Sequence, residues 1–295
     1  MKHEKTKKTT SFSKVRAALL VLFSAGLILS GWKIAAYLTD ASRSQAYWKE
    51  LQSAVLLTET EREGPGTGTD EGQESPSKAP AEGNKIPEKI DFDRLRDVSE
   101  DAAAWLLSPG TPINYAVAQG EDNDYYLRRL LDGTYAGGGT LFIDCRCAAD
   151  FTDWNTVIYG HYMEDGTMFA ELAKYQDPDY YRKHPEMYLY LPGKRLRLEL
   201  IAGYTTDVSD ELYSLPASQE ARDKVLEEAI GRSSFVSGVT AGEEDRLVTL
   251  STCSYVYEDA RYVVLARIAD GESGTASESV TVSESVIVSE SGTVS

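Results

Sequence analysis

The chain has 295 residues, 42% of them hydrophobic, which is enough for one or two domains with a buried core. Its formal net charge of −17 argues against a nucleic-acid-binding protein, because contact with the phosphate backbone needs a basic face. We interpret residues 1–16 as a basic tail ahead of a membrane-spanning segment. The basic side chains in this tail are Lys2, Lys5, Lys7, Lys8, Lys14 and Arg16.

A long apolar segment follows the tail. Residues 17–38 are almost entirely apolar, and a helix that spans a bilayer needs about 20 such residues. Lys33 interrupts the run, but its side chain can reach the outer interface beside Trp32 and Tyr37. We predict one uncleaved signal-anchor helix; a cleaved signal peptide is the alternative, although the run is long for one. The positive-inside rule then predicts a single-pass protein of the cell membrane, with residues 1–16 in the cytoplasm and the rest outside.

Residues 39–89 are predicted to be a stalk and a flexible linker. Apolar residues spaced for one helix face indicate that a helix continues over residues 42–57. Residues 59–84 are rich in Glu, Gly, Pro, Thr and Ser, and such a segment cannot bury a core. At the other end, residues 271–295 repeat Ser-Glu-Ser-Val-Thr-Val with small changes. We interpret them as a low-complexity tail without an assigned function.

Residues 90–270 have the composition of one folded domain. Apolar spacing predicts an amphipathic helix over residues 92–106, and Pro109 with Gly110 ends it. Further helices are predicted over residues 125–131, 168–175 and 218–230. Ser218 begins the last of these and Gly231 is expected to end it.

Strand-like runs alternate with these helices, and their residues are mostly Val, Leu, Ile and Tyr. Many short strands with few helices favour a mainly β fold that closes into a barrel. The runs cover residues 113–118, 140–144, 156–159, 187–191, 195–204, 246–252 and 262–268.

A cysteine ends one apolar strand, and an arginine begins the next. The first strand ends at Cys253, and the second begins at Arg261 after a short acidic connection. This order would put a thiol and a guanidinium on the same rim. A thiol beside a fixed positive charge ionises more easily, and the thiolate is the nucleophilic form. The alternative for Cys253 is a small buried apolar residue.

One of the three histidines also follows a strand. His161 comes directly after Tyr159 and Gly160, which places it on a rim where it can reach solvent and substrate. The alternative is a structural histidine that caps a turn. Together, Cys253, His161 and Arg261 would supply a nucleophile, a general acid and base, and a partner for an oxyanion.

The segments around these residues resemble the signature motifs of class B sortases, the cell-wall transpeptidases of Gram-positive bacteria. The resemblance runs from about residue 90 to residue 268. It implies a closed eight-stranded sortase-type β-barrel with N-terminal helices and with a helix between the sixth and seventh strands, which falls at residues 218–230. The matching motifs are Thr-Leu-Ser-Thr-Cys253, Arg261-Tyr-Val-Val, Asn155-Thr-Val-Ile-Tyr-Gly-His161, Asp91-Phe-Asp-Arg-Leu, Pro109-Gly-Thr-Pro-Ile-Asn-Tyr115 and Gln119-Gly-Glu-Asp-Asn-Asp-Tyr-Tyr-Leu127.

The resemblance also implies a reaction. A sortase cleaves a C-terminal sorting signal of the Leu-Pro-x-Thr-Gly or Asn-Pro-x-Thr kind after Thr, through a thioacyl-enzyme. It then passes the surface protein to an amine of a lipid-linked peptidoglycan precursor. Cys253 would be the nucleophile, His161 the proton carrier and Arg261 the oxyanion partner. Substrate contacts are implied at Asn123, Leu127 and Ser251, whose alternatives are a helix cap, a core residue and an ordinary strand residue.

The sequence leaves three rival interpretations open. A membrane-anchored cysteine peptidase would hydrolyse the same acyl-enzyme with water. A surface binding module would keep Cys253 inert. A pilin-polymerising sortase would usually carry an Asp-Pro-aromatic motif in an N-terminal lid, and residues 59–84 hold none.

Two further cysteines depart from the sortase pattern. Cys145 and Cys147 stand two residues apart, so strand alternation predicts that both face the same side. The spacing is too short for a zinc site without other ligands, and a bridge between the two would be strained. A redox effect near the active site is a further alternative for the two cysteines. The sequence contains no metal-ligand cluster or phosphate loop, and we predict no metal and no cofactor.

Overall fold

The computed structural model describes residues 6–57, 86–253 and 260–269, with the side chains of residues 6–15 and of Cys253 left outside that description. The predicted linker, residues 59–84, and the predicted repeat tail, residues 271–295, also lie outside the described residues. The described chain consists of one long N-terminal helix and a barrel domain with short helices around it.

Eight strands form the barrel, and within the described residues four α-helices and three 3-10 helices accompany them. The strands are β1 (Ala102–Leu107), β2 (Asn114–Ala118), β3 (Leu141–Ile143), β4 (Asn155–Gly160), β5 (Glu186–Leu191), β6 (Lys194–Thr206), β7 (Leu247–Cys253) and β8 (Arg261–Ala269). The α-helices are α1 (Thr6–Val55), α2 (Phe92–Val98), α3 (Pro178–Lys183) and α4 (Gln219–Arg232). The 3-10 helices are Tyr125–Arg128, Phe169–Gln176 and Glu211–Ser214, and two-residue strands at Leu56–Leu57 and Lys89–Ile90 pair with each other outside the barrel.

The barrel closes in the strand order β8-β6-β5-β1-β2-β3-β4-β7. The pairs β2–β3 and β4–β7 are parallel, and the other neighbours are antiparallel. Full closure pairs each of the eight described barrel strands on both sides. The predicted eight-stranded barrel is confirmed, and so is the helix between the sixth and seventh strands, because α4 lies between β6 and β7.

The core has two layers because each strand of the barrel alternates its side chains between inside and outside. The interior contains Tyr262, Val264 and Ala266 of β8, while Val263 and Leu265 of the same strand face outward. That outer face is covered by α4, whose Ser218 Oγ accepts a hydrogen bond from the Ala221 backbone N–H, as a helix N-cap does. The predicted stop at Gly231 is wrong by two residues, since the helix runs to Arg232 and its C-cap is Ser233.

Helix α1 is continuous from Thr6 to Val55. Between Arg16 and Val55 it contains a segment long and apolar enough to cross a membrane. The predicted helical continuation over residues 42–57 is confirmed up to Val55. The C-terminal end of α1 is not only a stalk. It packs into the barrel domain, where Trp48, Leu51 and Val55 are buried in the core.

Two further predictions from the sequence are wrong. Residues 92–106 do not form one helix: α2 ends at Val98, and Ala102–Leu107 is strand β1. Both faces of this strand are covered, so its residues are apolar throughout and give no period of two. Cys145 and Cys147 do not share a strand face, since β3 ends at Ile143 and a turn follows. Cys145 is exposed, whereas Cys147 is buried.

Candidate active site

Three adjacent strands bring the candidate catalytic residues to one rim of the barrel. β4 runs parallel to β7, and Gly160 pairs with Thr252. His161 follows Gly160 directly, so it lies beside the end of β7 at Cys253. On the other side of β7, Cys253 pairs with Arg261, the first residue of β8. The predicted rim for these three residues is therefore present in the backbone register.

Glycine at position 160 is needed for this arrangement. A Cβ atom there would lie 2.5 Å from Leu141 Cδ2 and 2.6 Å from Phe169 Cδ2, both closer than packed carbon atoms approach. Phe169 is itself fixed by a hydrogen bond from its backbone N–H to the His161 carbonyl oxygen, at 2.9 Å. The strand end before His161 is thus packed tightly against its neighbours.

The imidazole of His161 is partly buried, and its Nε2 lies 2.5 Å from the Leu127 carbonyl oxygen. A carbonyl oxygen only accepts hydrogen bonds, so Nε2 carries the hydrogen. In the neutral ring this leaves Nδ1 as the nitrogen that can take up a proton. Burial lowers the pKa of His161 and the positive charge of Arg128 lowers it further, while the contact with Leu127 raises it in part. The net effect is a pKa below 6.5, which favours the neutral imidazole.

A cleft of about 510 Å³ opens at this rim. Its lining brings together all the candidate site residues whose side chains are described: Asn123, Leu127, His161, Ser251 and Arg261. The side chain of Cys253 lies outside the description, but its strand neighbours Ser251 and Thr252 both line the cleft.

The three candidate substrate contacts have different local roles. Asn123 Oδ1 accepts a hydrogen bond from the Cys145 backbone N–H at 2.8 Å, which joins two loops of the cleft wall. Ser251 is buried, and its Oγ lies 2.8 Å from the Tyr213 hydroxyl. Leu127 is half-buried at the end of its 3-10 helix and holds His161 through its carbonyl oxygen.

The two arginines of β8 differ in their partners. Arg261 lines the cleft and donates a hydrogen bond to the Ala260 carbonyl oxygen at 3.0 Å. Arg267 forms ion pairs with Glu199 and Asp245, away from the rim. These ion pairs give Arg267 a structural role.

The sequence interpretation missed a set of polar side chains in the cleft wall. The Asp144 carboxylate is fully buried and accepts hydrogen bonds from Arg146 Nε at 2.9 Å and Arg146 Nη2 at 2.7 Å. Tyr159 donates to the same carboxylate at 2.9 Å, and the Tyr159 ring stacks on the Tyr213 ring. Arg146 Nη2 also donates to the Tyr213 carbonyl oxygen at 3.1 Å.

The hydrogen bonds of this network change the pKa of Asp144. Burial acts to raise the pKa of Asp144, but the hydrogen bonds from Arg146 and Tyr159 outweigh it and lower the pKa to about 2. Asp144 is therefore ionised and paired at neutral pH. The sequence did contain a signal for this network: Asp144 and Arg146 follow the buried strand β3 directly. A carboxylate at such a position is rarely left unpaired, so a nearby arginine indicates an ion pair.

The arrangement suits acyl transfer by a thiol. In the strand register, His161 and Arg261 lie on either side of the backbone position of Cys253, and the side chains of both line the cleft. Among residues 6–57, 86–253 and 260–269, no group of three His, Cys, Asp or Glu side chains is arranged to hold a metal ion.

Comparisons with known proteins agree with this geometry. A sortase-domain family model matches residues 107–269. Sortase B of Listeria monocytogenes is 36% identical over 183 residues, which cover 60% of this chain and 74% of that protein. The Staphylococcus aureus sortase B–substrate complex superposes with a TM-score of 0.57 at 30% identity, over 60% of this chain and 84% of the other. A sortase B complexed with triglycine gives a TM-score of 0.56 at 30% identity, over 60% and 85%.

Proposed function

Because the chain belongs to the sortase family of cysteine transpeptidases, in the class B group, we propose that Cys253, His161 and Arg261 carry out its reaction. The substrate is a surface protein with a C-terminal sorting signal of the Leu-Pro-x-Thr-Gly or Asn-Pro-x-Thr kind. The product is that protein joined to an amine of a lipid-linked peptidoglycan precursor.

The first half of the reaction forms a thioester. The Cys253 thiol gives its proton to neutral His161, and the sulfur attacks the Thr carbonyl carbon of the sorting signal. The carbon–nitrogen bond then breaks, and the imidazolium of His161 donates that proton to the leaving amine. The lowered pKa of His161 supports this order, since the ring is neutral before the reaction and can accept the proton.

Arg261 stabilises the charge that develops during the attack. Its Cα is the direct cross-strand partner of Cys253, and its side chain lines the cleft. A guanidinium offers a fixed fork of donors, which matches an oxyanion better than a flexible ammonium does. The same positive charge favours the thiolate form of Cys253.

Substrate contacts are assigned to Asn123, Leu127 and Ser251. Support comes from their shared position in the lining of the 510 Å³ cleft. The sorting signal would lie along this cleft with its Thr carbonyl at the rim between His161 and Arg261. The S. aureus complex is described as a sortase B with bound substrate, which fits a peptide cleft in this family.

The second half of the reaction transfers the acyl group. An amine attacks the thioester, and His161 takes up the proton that the amine loses. The sortase B complexed with triglycine supports an amino-terminal glycine peptide as a suitable class of acceptor. Water would replace the amine in a hydrolytic peptidase, so the product distinguishes the two activities.

The location follows from the N-terminal helix. Residues 17–38 are proposed to cross the cell membrane once, with residues 1–16 in the cytoplasm and the catalytic domain, residues 90–270, outside. The apolar segment of α1 supports the single span, and the basic tail supports the orientation. Residues 39–89 would join the two parts, and residues 271–295 would form a tail.

The observation that carries this proposal is the register at the rim, where Gly160 pairs with Thr252 and Cys253 pairs with Arg261. The test uses the full-length chain in detergent with fluorogenic sorting peptides, with and without triglycine. Cleavage that is lost in Cys253→Ala and retained in Cys145→Ala, with triglycine in the product, supports the transpeptidase. Cleavage that yields only hydrolysed peptide supports the peptidase, and cleavage retained in Cys253→Ala contradicts both.

A further inference from the structure

A second cavity lies on the other side of His161. It is a groove of about 940 Å³ between helix α1 and the barrel. His161 lines both this groove and the 510 Å³ cleft. The groove therefore reaches the imidazole from a direction that a peptide in the cleft does not occupy.

Helix α1 forms one wall of the groove over residues 36–52. The opposite wall consists of residues 137–139 and of residues 162–165, which follow His161. Tyr115 and Trp48 contact each other in a T-shaped ring pair at the junction of the two walls. The groove is thus a gap between the anchor helix and the catalytic face of the barrel.

The helix is held in place on this face by direct hydrogen bonds. Asp40 Oδ2 accepts from the Gly137 backbone N–H at 2.8 Å, and Arg43 Nη2 donates to the Tyr135 carbonyl oxygen at 2.7 Å. Gln52 Nε2 donates to the Asn114 carbonyl oxygen at 2.7 Å. With Trp48, Leu51 and Val55 buried in the core, these contacts fix the width of the groove.

The groove extends to the proposed membrane interface. Ala36 and Tyr37 belong to the apolar segment of residues 17–38, and both line the groove. Asp40, only two residues beyond that segment, already contacts the barrel. Tyr and Trp side chains mark the boundary between bilayer and water, as Tyr37 and Trp32 would here. A molecule held in the membrane would therefore meet the mouth of this groove first.

The lining of the groove suits an amine. It has carboxylates at Asp40, Glu164 and Asp165 and cations at Lys49 and Arg128. The hydroxyl oxygen of Ser44, another lining residue, is buried without a hydrogen-bond partner among the described residues. The carboxylates can accept hydrogen bonds from an amine, and the two cations can donate to the carbonyl oxygens of a peptide.

We propose that this groove binds the amine-bearing peptide of a membrane-anchored acceptor and that the anchor helix α1 is a wall of the acceptor site. The inference rests on the proposed transpeptidase function and adds the location of the second substrate. The amine nitrogen forms an amide bond with the acyl carbon and loses one proton to His161. The carbon–sulfur bond breaks, and the sulfur of Cys253 leaves as a thiolate.

The test separates acceptor binding from peptide cleavage. Full-length protein in lipid nanodiscs is given a cleavable sorting peptide, alone or with triglycine that is either soluble or tethered to a lipid. The variant Ala41→Phe places a bulky ring in the groove, and Ala46→Phe makes the same change at an exposed position of α1 outside the lining. Gly138→Leu obstructs the groove from the barrel wall, where a Cβ atom meets only the Met163 side chain at ordinary contact distance.

The expected result is a ratio of amide product to hydrolysed product that falls at least tenfold in Ala41→Phe and Gly138→Leu, for both acceptors. Cleavage without an amine should stay within about twofold of the parent protein, and Ala46→Phe should leave the ratio unchanged. An unchanged ratio in both groove variants overturns the proposal. An equal fall in cleavage and transfer assigns the groove to the sorting peptide and also overturns it. If the parent protein cleaves no peptide, the proposed function itself fails.

Discussion

Cys253 and Arg261 are direct cross-strand partners at the rim end of the antiparallel strands β7 and β8. Opposite residues in such a ladder have Cα atoms about 4.5–5.5 Å apart. A nucleophile and a guanidinium are therefore supplied by one backbone pairing, which needs no separate loop to bring them together.

This pairing predicts a strong effect of Arg261→Lys. The charge remains, but the planar fork of donors is lost, so we expect kcat for peptide cleavage to fall by about 10²-fold with a small change in KM. Steady-state kinetics of the full-length protein give both values. Arg267→Lys is the matched control on the same strand and should stay close to the parent. Equal effects of the two substitutions would contradict the role of Arg261.

The surroundings of His161 predict that its imidazole titrates with a lowered pKa. With a folded pKa below 6.5, the ring is neutral at neutral pH and binds a proton less readily than in the unfolded chain. Between the folded pKa and about 6.5 the unfolded state binds more protons, so the contribution of this ring to the free energy of unfolding rises with pH. NMR titration of the three histidines, with His161→Gln to assign the signal, measures the pKa. A value at or above 6.5 would contradict the prediction.

The placement of three candidate site residues on one rim could be predicted from the sequence. Cys253, His161 and Arg261 each stand at a strand end, and strand ends are readable from apolar runs. The contact between His161 and the Leu127 carbonyl oxygen could not be predicted, because it joins residues 34 positions apart through the closure of the barrel. The hydrogen bond from Arg146 to the Tyr213 carbonyl oxygen was missed for the same reason, since the two residues are 67 positions apart, whereas the neighbouring Asp144 and Arg146 could have been paired from the sequence.

Errors in the fold prediction have a local cause. Ala102–Leu107 is covered on both faces, so the strand lacks the alternation that distinguishes it from a buried helix. The packing of Trp48 and Leu51 onto the barrel was missed as well, since an amphipathic stripe does not identify what it will pack against.

Arg146 is expected to stabilise the fold and the cleft together. Arg146→Ala would leave the buried Asp144 carboxylate without its main partner and release the Tyr213 carbonyl oxygen. We expect the free energy of unfolding at pH 7 to fall by about 1–3 kcal/mol and KM for the sorting peptide to rise. Chemical denaturation and steady-state kinetics measure the two effects.

A matched control is available on the surface of the barrel. Arg197 is exposed to a similar degree and pairs with Glu186 and Glu199. Because such surface pairs contribute about 0–1 kcal/mol, Arg197→Ala should change stability little and KM not at all. A KM that is unchanged in Arg146→Ala would show that the network does not shape the peptide site.

The end of α1 is predicted to be part of the folded domain. Leu51→Ala removes a side chain that is 7% exposed, and we expect a loss of about 2–5 kcal/mol in the free energy of unfolding of the barrel. Leu38→Ala makes the same change at a side chain that is 57% exposed and should have almost no effect on the barrel. Denaturation of both variants in detergent gives the comparison, and equal stabilities would contradict the packing.

The most direct test identifies which cysteine carries the acyl group. Full-length protein is mixed with a cleavable sorting peptide, quenched in acid after a short time, digested with a protease and examined by mass spectrometry. All three cysteines, Cys145, Cys147 and Cys253, are then compared in one sample. We predict a thioester to the Thr carbonyl at Cys253 alone, and its accumulation should fall when triglycine is present. A thioester at Cys145, or cleavage of the peptide without any thioester, would contradict the central claim.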